Sequence, residues 1–264
     1  MTGRGRPVPA RPSGDPRLDP AARRSLGAAF QAGGEHYHAV RPTYPEQIVD
    51  FMVPADARTA VDLGAGTGLF TALLVARGLQ VAAVDPSASM LAPLRRALPA
   101  VTAVQATAER TGLPTGGFDL AVSAQAWHWI DPEAGSAEAA RLLRPGGTLA
   151  LVWNQLDTTV PWVHRLTRIM HAGDVHATDP DRRRTRAPFG AEEHRQVRWM
   201  DGTTPAGLHA LMASRSYWLR SPAAIRARMT TNLDWYLFDH LGLRPGEAVE
   251  LPYLTFAVRT SLLD

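Results

Sequence analysis

The chain has 264 residues, 45% hydrophobic and 20% charged, with 28 basic and 25 acidic side chains and a formal net charge of +3. Those are globular values, and the length suits one large α/β domain with room for an appended lid. The lack of cysteine excludes disulfides, thiolate zinc sites and cysteine nucleophiles, and so small a net charge argues against a nucleic-acid partner.

Every basic residue is arginine, the signature of a high-GC coding sequence, so the arginines need not all carry a function. Residues 1–25 are rich in proline and arginine and poor in apolar side chains, and they read as a disordered basic arm. Arg23-Arg24-Ser25-Leu26 lacks the apolar region that an export signal requires, and no segment is long and apolar enough to span a bilayer. The chain reads as cytoplasmic. His36 and His38 have no third ligand at metal-site spacing, so no metal is expected there.

Pro45 to Val53 reads as a helix opening with proline, with Ile48, Val49, Phe51 and Met52 turned inward. The stretch Val61-Asp62-Leu63-Gly64-Ala65-Gly66-Thr67-Gly68 follows, led by the apolar run Thr59 to Val61 and trailed by the helix pattern Leu69 to Arg77, which Gly78 stops. That order is strand, glycine turn, helix. Glycine lets a ligand approach the backbone closely, and the helix N-terminus offers free N–H groups. A dinucleotide turn reads G-x-G-x-x-G, but here Leu69 stands where the third glycine belongs. Asp62 would repel a pyrophosphate, yet it can pair with the ammonium of an amino-acid-like ligand. A second strand, Leu79 to Val84, ends at Asp85, at about the ~20-residue distance expected of a ribose-binding acid.

These residues resemble motifs one and two of the class I S-adenosylmethionine-dependent methyltransferases. The resemblance implies a doubly wound, mostly parallel seven-stranded Rossmann-like sheet, with helices on both faces and an antiparallel last strand. It implies S-adenosylmethionine as cofactor, held by Asp62, Gly64, Ala65, Gly66, Gly68, Asp85 and Pro86. Phe30 to Pro45 resembles the N-terminal signature of the branch that includes trans-aconitate methyltransferases, where an aromatic and an arginine close over the methionine end of the cofactor. Tyr37 and Arg41 occupy those positions.

Pro86 to Leu91 starts a helix, and Val101 to Gln105 is a third strand. In the loop that follows, Thr107 stands where relatives carry an adenine-binding aspartate, and its hydroxyl can accept the same hydrogen bond. Ala108 offers backbone to the adenine edge, and Glu109 orders the loop. Phe118 to Ala124 is the fourth strand, and Ser123 and Gln125 at its end join the cofactor set. Its exit, Gln125-Ala126-Trp127-His128-Trp129, lies where open parallel sheets bind ligands. Trp127 and Trp129 read as a substrate wall, and His128 as a titratable base between them. No Asn/Asp-Pro-Pro-aromatic motif of the DNA amino-methyltransferases occurs here. A helix from Asp131-Pro132 to Leu143 comes next, then the paired glycines Gly146-Gly147 and a fifth strand, Leu149 to Trp153.

Beyond Trp153 the pattern loosens: a helix near Pro161 to Met170, a strand near Arg195 to Met200, helices from Thr204 and Pro222, and a last strand over Leu251 to Val258. Residues 26–264 are expected to form one domain, with 59–153 as cofactor core and a helical cap within 154–250. Arg215 is the candidate clamp for a substrate carboxylate and Tyr217 a further substrate contact. The reading is methyl transfer to a small-molecule carboxylate or hydroxyl. A catalytically silent cofactor-binding protein shares every one of these features, and a nicotinamide-dependent oxidoreductase is disfavoured by Leu69 and Asp62.

Overall fold

A computed structural model describes residues 40–171 and 184–263. Residues 1–25, Tyr37, His36 and His38 lie outside the described residues, so the expectations for the arm, the aromatic closure and the histidine pair are not addressed by it.

The chain runs α1 (Glu46–Met52), β1 (Thr59–Leu63), α2 (Leu69–Ala76), β2 (Gln80–Asp85), α3 (Ala88–Ala97), β3 (Thr102–Gln105) and β4 (Phe118–Ala124). Then come α4 (Pro132–Leu142), β5 (Leu143–Leu156), α5 (Pro161–Ile169), β6 (Glu193–Thr203), α6 (Pro205–Ala213), α7 (Ser216–Arg220), α8 (Ala223–Asp234) and β7 (Val249–Ser261). The seven strands form one sheet in the order β3-β2-β1-β4-β5-β7-β6. The strands from β3 to β5 pair parallel, whereas β7 pairs antiparallel with both β5 and β6. The sheet is thus doubly wound, with one reversed strand near its edge.

Strand alternation divides the core in two. Ala60, Leu120, Val122, Ala150 and Val152 face α1 and α2, whose Ile48, Val49, Met52, Phe70 and Leu74 are buried against them. Val61, Leu63, Leu149, Leu151 and Trp153 face α4. Successive side chains point to opposite faces, so a strand covered on both sides reads as an unbroken apolar run. Each valine, leucine, isoleucine, methionine or phenylalanine among them, once fully buried, stabilises the fold by about 1.5–3 kcal/mol.

Helix starts follow local chemistry. Ser87 caps α3 through the Met90 N–H, Asp131 caps α4 through the N–H groups of Glu133 and Ala134, and Thr204 caps α6 through Gly207. A third apolar cluster gathers Val163, Leu166, Leu208, Leu211, Leu233 and Tyr236 from the late helices onto Leu156, Leu251 and Tyr253 at the strand ends. Among the described residues no helix is long and apolar enough to cross a membrane.

Several boundaries differ from the sequence reading: β5 and β7 are longer than expected, at Leu143–Leu156 and Val249–Ser261. The expected strand near Arg195 to Met200 runs from Glu193 to Thr203, because its full length pairs with β7. The helix opening at Thr204 stops at Ala213, and a separate short helix starts after Arg215. The helix from Pro222 widens into a π-helical turn over Trp235–His240.

Candidate active site

The carboxyl ends of β1, β2 and β4 meet at the glycine turn. Gly64 and Ala65 both donate to the Val84 carbonyl, at 2.8 and 3.0 Å, which folds the turn over the end of β2. Gly64, Gly66 and Gly68 all have positive φ (79°, 55° and 86°), the left-handed region where side chains strain the backbone. Their surroundings separate their roles. A Cβ on Gly64 would collide with Ala126 of the β4 exit loop, so glycine lets the two loops touch. A Cβ on Gly66 would meet only the flexible end of Met90, at 3.3 Å. Gly68 is buried, and a Cβ there would press into Leu94 Cγ at 2.8 Å. Gly68 therefore lets α3 pack closely against the turn.

Asp62 is fully buried, and its Oδ2 accepts the Thr71 hydroxyl at 2.7 Å. Its Oδ1 is buried without a hydrogen-bond partner among the described residues. Burial, reinforced by nearby Asp85, pushes its carboxyl up to about 7. An orphaned, half-titrated carboxylate oxygen beside a glycine turn is complementary to an ammonium group. Asp85 accepts the Gly66 N–H at 2.9 Å and the Ser87 N–H at 2.8 Å. Burial raises its pKa as well, against those two bonds. Both oxygens keep a second lone pair for a diol. Residues and turn thus fit an amino-acid-bearing nucleoside. An Asp85→Ala variant is expected to weaken its binding by roughly 1.5–3 kcal/mol, one charge-assisted contact, with the loss enlarged by loosening of the Gly66 loop. Unchanged calorimetric affinity in a folded variant would place the ribose elsewhere.

The other expected contacts divide. Pro86 and Thr107 are exposed on the rim, and the Thr107 carbonyl accepts the Arg110 N–H at 3.1 Å. Ala108 is 6% exposed and packs into the core. Glu109 accepts the Asp131 N–H at 3.1 Å, tying the β3 exit loop to the start of α4. It orders the loops, and Ser123 is likewise structural: fully buried, its hydroxyl donates to the Leu63 carbonyl at 2.8 Å and locks β4 to β1. Gln125 holds a positive φ of 56°, rare for a side chain of its kind, and donates through Nε2 to the Asn154 carbonyl at 2.8 Å.

The β4 exit departs most from expectation. Trp127 is fully buried among Val61, Leu63 and Leu151, and Gly135 of α4 leaves room chiefly for Ile130, with the edge of the Trp127 ring close beside it. Trp127 is a core residue and not part of a substrate wall. His128 is 4% exposed, and its Nδ1 accepts the Trp153 indole N–H at 3.4 Å. Trp129 is half-buried, its ring 4.6 Å from that of His128.

The late helices bring their own set. The Arg41 guanidinium donates to the carbonyl of Ser214, the neighbour of Arg215 in the chain, at 3.1 Å. Tyr217 is half-buried against the cap core and stacks on His171 at 4.0 Å. Sequence reasoning passed over Tyr253, whose phenol lies within the electrostatic reach of both arginines. It also passed over Thr71 and Asn154. Strand alternation through Leu251, Tyr253 and Thr255 was the signal that could have placed Tyr253 facing inward.

Fold and turn together define a nucleoside-binding α/β transferase, and comparison with known proteins agrees. Residues 61–151 match the methyltransferase domain family. An uncharacterised methyltransferase of Mycobacterium tuberculosis is 42% identical over 245 residues, 91% of this chain and 98% of that one. A trans-aconitate 2-methyltransferase of Azoarcus is 40% identical over 124 residues, 42% of this chain and 49% of that one. A solved structure from Anaeromyxobacter dehalogenans, bearing a type II methyltransferase designation, superposes with a TM-score of 0.57 at 27% identity, over 84% of this chain and 98% of that one. The chain belongs to the class I S-adenosylmethionine-dependent methyltransferases. The nicotinamide alternative is set aside by that membership.

Proposed function

We propose that the protein methylates a small-molecule acid on a carboxylate oxygen. The observation that carries this reading is the state of His128. Its Nδ1 accepts the Trp153 N–H, so in the neutral ring the proton sits on Nε2, and neither nitrogen is left to take a proton from an acceptor. A hydroxyl acceptor needs such a base near neutral pH, whereas a carboxylate is already ionised. The cofactor supplies a methyl group already activated on a sulfonium. Asp62 holds its ammonium and Asp85 its ribose, while Gly64 and Gly66 let it lie against the turn. Arg41 and Arg215 attract the acid, and the cap helices exclude water. The partial match to a trans-aconitate methyltransferase supports an acid acceptor.

The test is a panel of organic acids and alcohols incubated with labelled S-adenosylmethionine, with the product class read by mass and by lability to base. Methyl esters are expected. His128→Asn is expected to change turnover on the acid by less than about tenfold. A loss of roughly 10²–10⁴-fold, the usual size of general-base catalysis, would overturn the acid reading and restore His128 as a base.

A further inference from the structure

The cap buries two tyrosines and treats them differently. Tyr236 is 1% exposed, and its hydroxyl donates to the Trp162 carbonyl at 2.8 Å. Tyr253 is 3% exposed, and its hydroxyl is buried with no hydrogen-bond partner among the described residues. A buried hydroxyl left without a partner keeps its full desolvation cost, so native structures seldom retain one without a use.

The position of that hydroxyl is well determined. Tyr253 sits in register with Leu156 at the carboxyl end of β5 and with Trp199 of β6. The Trp199 indole stacks on the Tyr253 ring at 5.3 Å and is itself pinned by its N–H donating to Thr255 Oγ1 at 2.7 Å. Around the hydroxyl lie the charges of Arg41 and Arg215, which favour its ionisation, and of Asp201, which opposes it. Burial outweighs them and pushes the phenol up to about 12, so at neutral pH it remains an O–H donor. Arg41 is fixed in place by the Ser214 carbonyl. A carboxylate only accepts hydrogen bonds, and phenol and guanidinium are donors.

We propose that Tyr253, Arg41 and Arg215 form a carboxylate-binding subsite at the carboxyl end of β5, which holds an acid group of the methyl acceptor. Tyr253 is thereby a specificity residue, a role that no motif assigns to it. Only β5 separates β7 from β4, so the subsite lies roughly 10 Å along the rim from the β4 exit. The inference rests on the acid-acceptor reading and deepens it. The cofactor carries a carboxylate too, so the experiment must tell the two sources apart.

The experiment is calorimetry on the full chain. Wild type and Tyr253→Phe are first titrated with S-adenosylhomocysteine. Each complex is then titrated with mono-, di- and tricarboxylates from acetate to tricarballylate, and with the matching amides. Saturable binding of acids but not amides is expected for wild type. Tyr253→Phe is expected to weaken the acids by roughly ten- to hundredfold, one hydrogen bond to a charged group, and to leave S-adenosylhomocysteine within about twofold. Its melting temperature is expected to hold or to rise by roughly 2–4 °C, because an unpartnered hydroxyl is removed. Arg215→Met is expected to weaken the acids in the same direction. If Tyr253→Phe weakens S-adenosylhomocysteine and spares the acids, the subsite belongs to the cofactor and the proposal fails. A lower melting temperature with both affinities intact would make the hydroxyl structural, and failure of every acid to saturate wild type would equally overturn the subsite. S-adenosylhomocysteine binding to wild type tests the methyltransferase reading separately, and none of these failures touches it.

Discussion

Gly66→Val is expected to abolish cofactor binding, a loss of at least about hundredfold, or roughly 2.7 kcal/mol, in a protein that still folds. Two effects combine. The backbone at Gly66 has φ 55°, and a β-branched side chain there costs on the order of 1–3 kcal/mol. The valine would also project from the turn into space where the only atom within reach is the flexible Met90 Cε. The methionine can yield, so the sheet survives, but the cradle is filled. The Gly66 N–H bond to Asp85 Oδ2 would be disturbed at the same time. Gly64→Ala should behave differently: its Cβ would run into Ala126, prying the turn from the β4 exit loop and lowering stability along with affinity. Calorimetry with S-adenosylhomocysteine, paired with thermal melts, separates the two. A Gly66→Val variant with wild-type affinity would show that the cofactor does not lie against this turn.

The second large effect is a pH dependence centred on Asp62. Burial holds its folded pKa at about 7, well above the ordinary carboxylate range, so the folded protein keeps this proton to higher pH than the unfolded chain does. Stability from this group is therefore complete below about pH 4, is lost as pH rises toward 7, and is level above that. The loss amounts to up to about 4 kcal/mol at 1.36 kcal/mol per pKa unit. An ammonium ligand prefers the carboxylate, so cofactor affinity should move the opposite way and strengthen from pH 5 to a plateau above 7. Proton release on binding should be visible as a heat that depends on the buffer. Asp62→Asn should flatten both curves, with a more stable free protein at pH 8 and weak binding at every pH. A wild-type affinity that does not vary across pH 5–8 would show that the Asp62 charge is not met by the ligand.

Several of these expectations were legible without coordinates because they are local. The acid, the alternating glycines and the trailing helix pattern fix a strand, a turn and a helix within ten residues of one another, and Asp85 falls at the distance that a second parallel strand imposes. The apolar runs of β1, β4 and β5 announce a sheet covered on both faces, and Ser87 and Asp131 announce helix starts. These features depend on side chains acting on their own neighbourhood.

What the sequence could not determine was which face a residue takes once distant segments pack. Trp127 and His128 stand at the strand exit that binds ligands in such sheets, yet Trp127 is buried in the cluster formed by β1, β5 and α4, and Trp153 of β5 hydrogen-bonds the imidazole beside it. The bond from Ser123 to β1 and the fit of Gly68 against Leu94 likewise depend on segments distant in the chain. Tyr253 shows the reverse. It lies in an unremarkable apolar strand nearly forty residues past Arg215, and only the antiparallel insertion of β7 beside β5, with the late helices folded over it, places its hydroxyl within the electrostatic reach of the two arginines. Local pattern determined the cofactor turn, because backbone conformation is set by near neighbours. The tertiary structure decided the acceptor side, because burial and charge there come from segments that meet only in the folded chain.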